Sequence, residues 1–153
     1  MKRIILTVVA AVAALSAFAA QKAPMIIPQP QDFELTKGSC KVSGITINCE
    51  TAIGEETIRM VSMFADHLTM VSGKTSTVAT PVGLAQSLAK SKVKGMNFLA
   101  DASMAPESYS LSVTKGMIVV KASDYNGFLY AVQTMKQMLP VAIYGDVPAS
   151  GEK

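Results

Sequence analysis

The strongest constraint on the fold is a stripe of apolar residues at helical spacing near the middle of the chain. Ile58, Val61, Ala65 and Leu68 recur every three or four residues, so they share one face of a helix. Two glutamates precede the stripe, where the helix dipole favours negative charge, and Gly73 follows it, where helices commonly end in glycine. The pattern predicts a long amphipathic helix whose apolar face must pack on a sheet.

A second helix is predicted near the end of the chain, in the stretch NGFLYAVQTMKQMLP from Asn126 to Pro140. Ser123 or Asp124 caps its start, and Pro140 ends it. Gly127 would allow close approach to the preceding strand. One face is apolar and a second face is polar: the apolar face carries Phe128, Val132, Met135 and Leu139, and the polar face carries Asn126, Tyr130, Gln133 and Gln137.

Strand patterns flank the two helices. The clearest is a hairpin in which Tyr109–Val113 pairs with Met117–Ala122 across a turn at Lys115-Gly116. Four further segments are predicted: a hairpin of Ser39–Val42 with Ile45–Cys49, a strand at Thr75–Thr80, a short helix or loop at Leu84–Lys94, and a brief strand at Asn97–Ala100. The order predicts an α+β sandwich with both helices on one face of a mainly antiparallel or mixed sheet.

The start of the chain predicts export, and composition divides the remainder into three segments. Lys2 and Arg3 precede an apolar run and a small-residue cleavage pattern, which indicates a signal peptide at residues 1–19. Residues 20–37 are proline-rich and predict an extended lead-in, residues 38–140 the α+β domain, and residues 141–153 a linker. The protein is therefore expected in the periplasm or outside the cell, without a membrane anchor after cleavage.

The charge balance gives no support for nucleic-acid binding. Loss of Lys2 and Arg3 with the signal peptide leaves 12 basic residues against 11 acidic ones, and the remaining lysines are scattered. Lys90, Lys92 and Lys94 form the one local cluster.

Two cysteines, Cys40 and Cys49, would meet oxidising conditions after export. In the predicted hairpin they share a face but lie diagonally, at the edge of bridging distance. Two small buried side chains are the favoured interpretation, and a disulfide between Cys40 and Cys49 is the alternative.

Residues with catalytic chemistry are scarce. His67 is the single histidine, so a two-histidine metal motif is excluded, and it lies on a helix flank. Gly73-Lys74-Thr75 lacks the earlier glycine of a phosphate loop. The adjacent carboxylates Glu55 and Glu56, which could otherwise suggest a glycosidase pair, are explained by the start of the helix. The sequence contains no tryptophan, the residue that commonly stacks on bound sugars. We therefore expect no catalytic, cofactor-binding or metal-binding residues in this chain, and no cofactor.

Several motifs in a fixed order resemble the N-terminal accessory domain of family 20 glycoside hydrolases, the β-N-acetylhexosaminidases. The similarity runs from about Met25 to Pro140. It rests on a Pro-x-Pro lead-in, a Glu-x-Tyr strand, a glycine-turn partner strand and a Gly…Tyr…Gln-Thr…Gln helix that ends in proline. The residues are Ile26–Gln31, Gly38, Pro106–Val113, Met117–Ala122, Asp124, Gly127, Tyr130, Gln133–Met135, Gln137 and Leu139-Pro140.

The resemblance implies a zincin-like domain that holds no metal and performs no chemistry. In the family such a domain packs on a (β/α)8 barrel in the same polypeptide, and an Asp-Glu pair in that barrel acts with the 2-acetamido group of the substrate. This sequence contains no Asp-Glu dipeptide. We therefore expect that the chain lacks the catalytic barrel and is inactive alone. A glycan substrate would be bound only through that barrel.

Two interpretations of the missing barrel remain open at this point: part of a β-N-acetylhexosaminidase, which is favoured, or a free-standing exported binding or adhesive module. The polar face of the second helix has two interpretations as well. It is either a solvated surface or an interdomain face through which Asn126, Tyr130, Gln133 and Gln137 contact the barrel.

Overall fold

The computed structural model of the chain describes residues 25–35, 38–90 and 93–144. The strands are β1 (Thr46–Cys49), β2 (Thr77–Ala79), β3 (Gly95–Ala100), β4 (Tyr109–Thr114) and β5 (Met117–Ala122). The helices are α1 (Glu55–Ser72), α2 (Leu84–Ala89) and α3 (Tyr125–Met138), with short 3-10 helices at Thr51–Ile53 and Val141–Tyr144. The predicted signal peptide lies outside the described residues, as does the predicted linker after residue 144.

The five strands form one mixed sheet in the order β2-β1-β3-β5-β4. β1 is parallel to both β2 and β3, β3 is parallel to β5, and β4 is antiparallel to β5. The α+β class and the mixed sheet are therefore confirmed, with parallel pairing more frequent than antiparallel pairing. Parallel neighbours follow from the crossover connections, because α1 joins β1 to β2 and α2 joins β2 to β3.

The predicted hairpin of Ser39–Val42 with Ile45–Cys49 is wrong. Residues 39–42 form no strand, and β1 is flanked by β2 and β3, so neither of its edges is available to a preceding strand. Ser43 and Gly44 do form a turn, in which Gly44 has a φ of 65°. The segment before this turn leads away to the β4–β5 hairpin, where the carbonyl of Ser39 accepts a hydrogen bond of 3.0 Å from the amide of Gly116.

Both predicted amphipathic helices pack on the same face of the sheet and contact each other. α1 ends at Gly73, which has a φ of 66° and donates its amide to the carbonyl of Thr69 at 2.9 Å. α3 begins after Asp124, which is therefore the cap of the two candidates. The centre of this layer is apolar and closely packed, and its largest fully buried side chains include Phe98, Phe128, Ile47, Leu68, Met96, Val61 and Val120.

The opposite face of the sheet carries α2 and two buried amide side chains. Right-handed crossovers place α1 and α2 on opposite faces, and the buried Leu84 of α2 lies outside the core cluster formed with α1 and α3. Two amides are buried on this face. Asn48 donates to the side-chain oxygen of Asn97 at 2.9 Å, and Asn97 donates to the carbonyl of Ile118 at 3.1 Å. These bonds satisfy polar groups whose burial would otherwise be costly.

Candidate functional site

The predicted interdomain face lies on the side of α3 that points away from the sheet. Asn126, Tyr130 and Gln133 are exposed there, and the Tyr130 side chain is 43% exposed despite its size. Gln137 is half-buried. The structure thus places the four residues on one side of α3, as their spacing predicts, but it gives them different surroundings. Whether this face contacts another domain stays a prediction.

Gln137 is occupied by a contact within the chain. Its side-chain amide donates to the carbonyl of Ile27 at 2.9 Å, and its side-chain oxygen accepts from the amide of Ile27 at 2.8 Å. Ile26, next to this paired residue, is buried. The two bonds fix the proline-rich lead-in to the C-terminal turn of α3, so Gln137 has a structural role that sequence spacing did not indicate.

Asn126 belongs to a network around the start of α3. It donates to a carboxylate oxygen of Glu107 at 3.2 Å, and the amide of Glu107 donates to Asp124 at 2.7 Å. The second oxygen of Asp124 accepts from the amide of Gly127 at 2.9 Å. Glu107 has a φ of 63°, a left-handed conformation that non-glycine residues rarely adopt, so Asp124 holds a strained loop as well as capping the helix.

Two other motif residues complete the attachment of α3 to the hairpin. The hydroxyls of Tyr109 and Thr134 are 2.6 Å apart, and Thr134 is buried. A Cβ atom added to Gly127 would lie 2.8 Å from the Cβ of Ala122 and would overlap the carbonyl oxygen of Ser108. The close approach predicted for Gly127 is therefore confirmed. These residues hold the helix against β4 and β5.

Asp124 should make stability depend on pH. Hydrogen bonds from the amides of Gly127 and Glu107 lower the pKa of its carboxyl. A lowered pKa means that this contribution is fully present above the ordinary carboxylate range and is lost as pH falls through the lowered value. Asp124→Asn should therefore be clearly less stable than wild type near neutral pH, and the difference should shrink as the solution becomes acidic. Urea unfolding at several pH values measures it.

Asp66→Asn serves as the matched control, since Asp66 is an exposed carboxylate on α1. Its difference from wild type should stay small across the same pH series. A constant gap between Asp124→Asn and wild type at all pH values would contradict the assigned role of the carboxylate.

Three further carboxylates have structural partners. Glu50 accepts a 3.0 Å hydrogen bond from the amide of Ala100, and Asp101 lies 3.9 Å from the ammonium of Lys121 and binds Ser103. Glu55 pairs with Arg59 at 3.8 Å on exposed α1. Among the described residues, no group of three or more His, Cys, Asp and Glu could hold a metal ion.

Both cysteines are free thiols in the structure, with Cys40 half-buried and Cys49 fully buried in the core. Burial raises the pKa of both thiols, that of Cys49 to about 12. The diagonal geometry considered for a disulfide depended on the hairpin that does not form. A thiol with a raised pKa is a poor nucleophile, so Cys49 acts as a small core side chain.

The exposed apolar side chains on the outer side of the helices were not predicted from the sequence. Met63 and Met70 of α1 are 73% and 45% exposed, on the side of α1 opposite its buried stripe. After α3, Val141 and Tyr144 are also exposed, and their 3-10 helix contacts α1. The sequence pattern that could have indicated this surface is the pair of methionines seven residues apart, outside the apolar stripe of α1. Within the described residues, no helix has both the length and the apolar character to span a membrane.

Comparison with known proteins identifies the fold. Residues 23–151 match the family model described as glycosyl hydrolase family 20, domain 2. A β-N-acetylhexosaminidase of this family from Streptomyces coelicolor A3(2) is similar in structure, with a TM-score of 0.66, 22% identity, and coverage of 82% of this chain and 24% of that chain. No curated protein sequence matches the chain.

Two further structures agree. The β-N-acetylhexosaminidase from Bacteroides fragilis has a TM-score of 0.55 and 22% identity, covering 74% of this chain and 21% of that one. The exo-β-N-acetylglucosaminidase from Vibrio harveyi has a TM-score of 0.56 and 18% identity, covering 76% and 16%. The chain thus spans a quarter or less of the length of these enzymes. The expected resemblance is confirmed, and the chain belongs to glycosyl hydrolase family 20, whose domain 2 it represents.

Proposed function

We propose that the chain serves as the non-catalytic N-terminal domain of an exported β-N-acetylhexosaminidase and supports a catalytic barrel in the same polypeptide. The parent enzyme would remove terminal non-reducing N-acetylhexosamine from glycans. The observation that carries the proposal is the match of residues 23–151 to one domain of a family in which this chain covers a quarter or less of the similar solved enzymes. Export is supported by the signal-peptide pattern of residues 1–19.

The chemistry of the described residues supports a scaffolding role. Several acidic side chains of the described residues are held within the domain, Asp124 in a helix cap, Glu50 by a hydrogen bond to the sheet and Glu55 in a surface ion pair. They therefore stabilise this domain, and hydrolysis in the parent would depend on carboxylates outside it.

The outer side of the helical layer is the surface best suited to contact the barrel. α3 presents the ring of Tyr130 and the amide of Gln133, and α1 presents the side chains of Met63 and Met70. Interdomain contacts within a chain typically combine such apolar and polar groups. Gln137 contributes indirectly, because its amide already binds Ile27.

A chimera tests the proposal. Residues 25–144 would replace the matching domain of the Streptomyces coelicolor enzyme, and Tyr130→Ala with Gln133→Ala would be introduced into the chimera and into the isolated chain. We expect the double substitution to lower the stability of the chimera by roughly 2 kcal/mol, because a buried ring and an interdomain hydrogen bond are lost. In the isolated chain the same change should have little effect. Thermal unfolding with hydrogen exchange measures both.

Gln86→Ala is the matched control, since Gln86 is an exposed amide on α2. It should leave chimera and isolated chain equally stable. Equal losses from the double substitution in both proteins would contradict docking through this face, and so would a chimera whose two domains unfold independently.

A further inference from the structure

The two edges of the sheet are protected in different ways. β2 is an edge strand of three residues, and Pro81 follows it closely, so it offers little backbone for pairing. β4, the other edge, has six residues with the sequence YSLSVT, which contains no charge and no proline. An uncharged strand of this length at a sheet edge readily pairs with another strand unless something covers it.

The cover over β4 is the lead-in, here called the strap and comprising residues 25–35 and 38–39. A cleft of about 470 Å³ lies between the two, lined by residues 32–34 of the strap and residues 111–113 of β4. Further along, Gly38 approaches the backbone so closely that a Cβ atom there would lie 2.9 Å from the amide nitrogen of Lys115. Residues 32–34 of the strap therefore lie beside the middle of β4, and Gly38 lies beside the turn that ends it.

The strap is fastened at both ends. At one end Ile26 is buried, and Gln137 forms its two hydrogen bonds with the backbone of Ile27. At the other end the carbonyl of Ser39 accepts from the amide of Gly116. Between these points the side chains of Phe33 and Leu35 remain substantially exposed.

The strap differs from β4 in the features that discourage pairing between chains. It carries Pro28 and Pro30, which lack amide donors, and the exposed carboxylates Asp32 and Glu34. Its own outer surface is thus unsuited to accept a further strand. Removing the strap would remove these groups and would uncover β4 at the same time.

We propose that the outer edge of β4 is a strand-pairing surface that the strap occupies, and that a second copy of this chain pairs with it when the strap is displaced. The partner follows from symmetry, because antiparallel pairing of β4 with the same strand of another copy gives a closed two-fold dimer. β4 contains no charge that would repel its copy. Gln137 is the residue that retains the strap. This inference is independent of the proposed barrel contact.

Deletion of the strap as far as residue 37 is the direct test. The chain beginning at Ala20 should be monomeric at micromolar concentration, whereas a variant beginning at Gly38 should show twice the monomer mass by size exclusion with light scattering. Adding Ser112→Lys to the short variant should restore the monomer, because it would place a positive charge on the pairing strand of each copy. Thr77→Lys, an exposed position on the opposite edge strand, should leave the short variant dimeric.

A folded short variant that stays monomeric overturns the proposal. An unfolded short variant overturns it equally, since the strap would then be an integral part of the fold. The role of Gln137 has a separate readout: Gln137→Ala should make proteolytic cleavage of the strap about fivefold faster. Gln133→Ala removes an amide from the same helix without touching the strap and should not change the rate. Equal rates in the two variants would refute the role of Gln137.

Discussion

Truncating Phe98 to alanine should lower the free energy of unfolding by about 4 kcal/mol. Phe98 is fully buried on the central strand β3, and its ring centroid lies 6.0 Å from that of Phe128 on α3. The substitution removes the apolar surface of one ring and leaves a cavity between the sheet and the helical layer. Urea unfolding of the isolated chain, followed by circular dichroism, measures the loss.

Met63→Ala is the control for this prediction. It also shortens a large apolar side chain, but Met63 is 73% exposed, so the change should stay within about 0.5 kcal/mol. If Phe98→Ala were as mild as Met63→Ala, the position of β3 at the centre of the core would be wrong.

Substituting Gly127 by alanine should lower the free energy of unfolding by about 3 kcal/mol. Helix propensity alone predicts the opposite sign, since alanine is favoured over glycine by about 1 kcal/mol inside a helix. Packing decides the sign, because the added methyl group would overlap the carbonyl oxygen of Ser108 and approach the Cβ of Ala122 to 2.8 Å. α3 would have to move away from β4 and β5, which also weakens the bond between Tyr109 and Thr134.

Gln133→Ala provides the comparison on the same helix. It is exposed and changes to a good helix former, so its effect should stay within about 0.5 kcal/mol. A stabilised Gly127→Ala protein, measured by the same urea unfolding, would show that α3 does not approach the hairpin as closely as described.

Local patterns predicted the elements that are stabilised locally. The stripe from Ile58 to Leu68 and the glycine at position 73 identified α1, and the turn at Lys115-Gly116 identified the β4–β5 hairpin. The first predicted hairpin failed because Ser43-Gly44 looks like a hairpin turn, while the true partners of β1 lie far away in sequence. Parallel pairing leaves no turn signal, so the position of β3 at the sheet centre was not predictable from its own residues.

The same distinction applies to the candidate site. Helical spacing correctly grouped Asn126, Tyr130, Gln133 and Gln137 on one side of α3, because their positions depend only on the helix. It did not reveal that Gln137 binds Ile27, since that contact joins residues 110 positions apart. The strained loop at Glu107 was equally hidden, because glutamate gives no indication of a left-handed backbone.

The buried amide pair of Asn48 and Asn97 has a consequence for how the sheet assembles. β1, β3 and β5 are parallel, so no short turn sets their alignment, and a shift by two residues would keep every apolar side chain on the same face of the sheet. The bonds from Asn48 to Asn97 and from Asn97 to Ile118 form in one alignment. A shift of β3 by one residue would turn Asn97 toward the apolar layer beneath α1 and α3, without its partners Asn48 and Ile118. Polar groups thus select the arrangement that the hydrophobic core then stabilises.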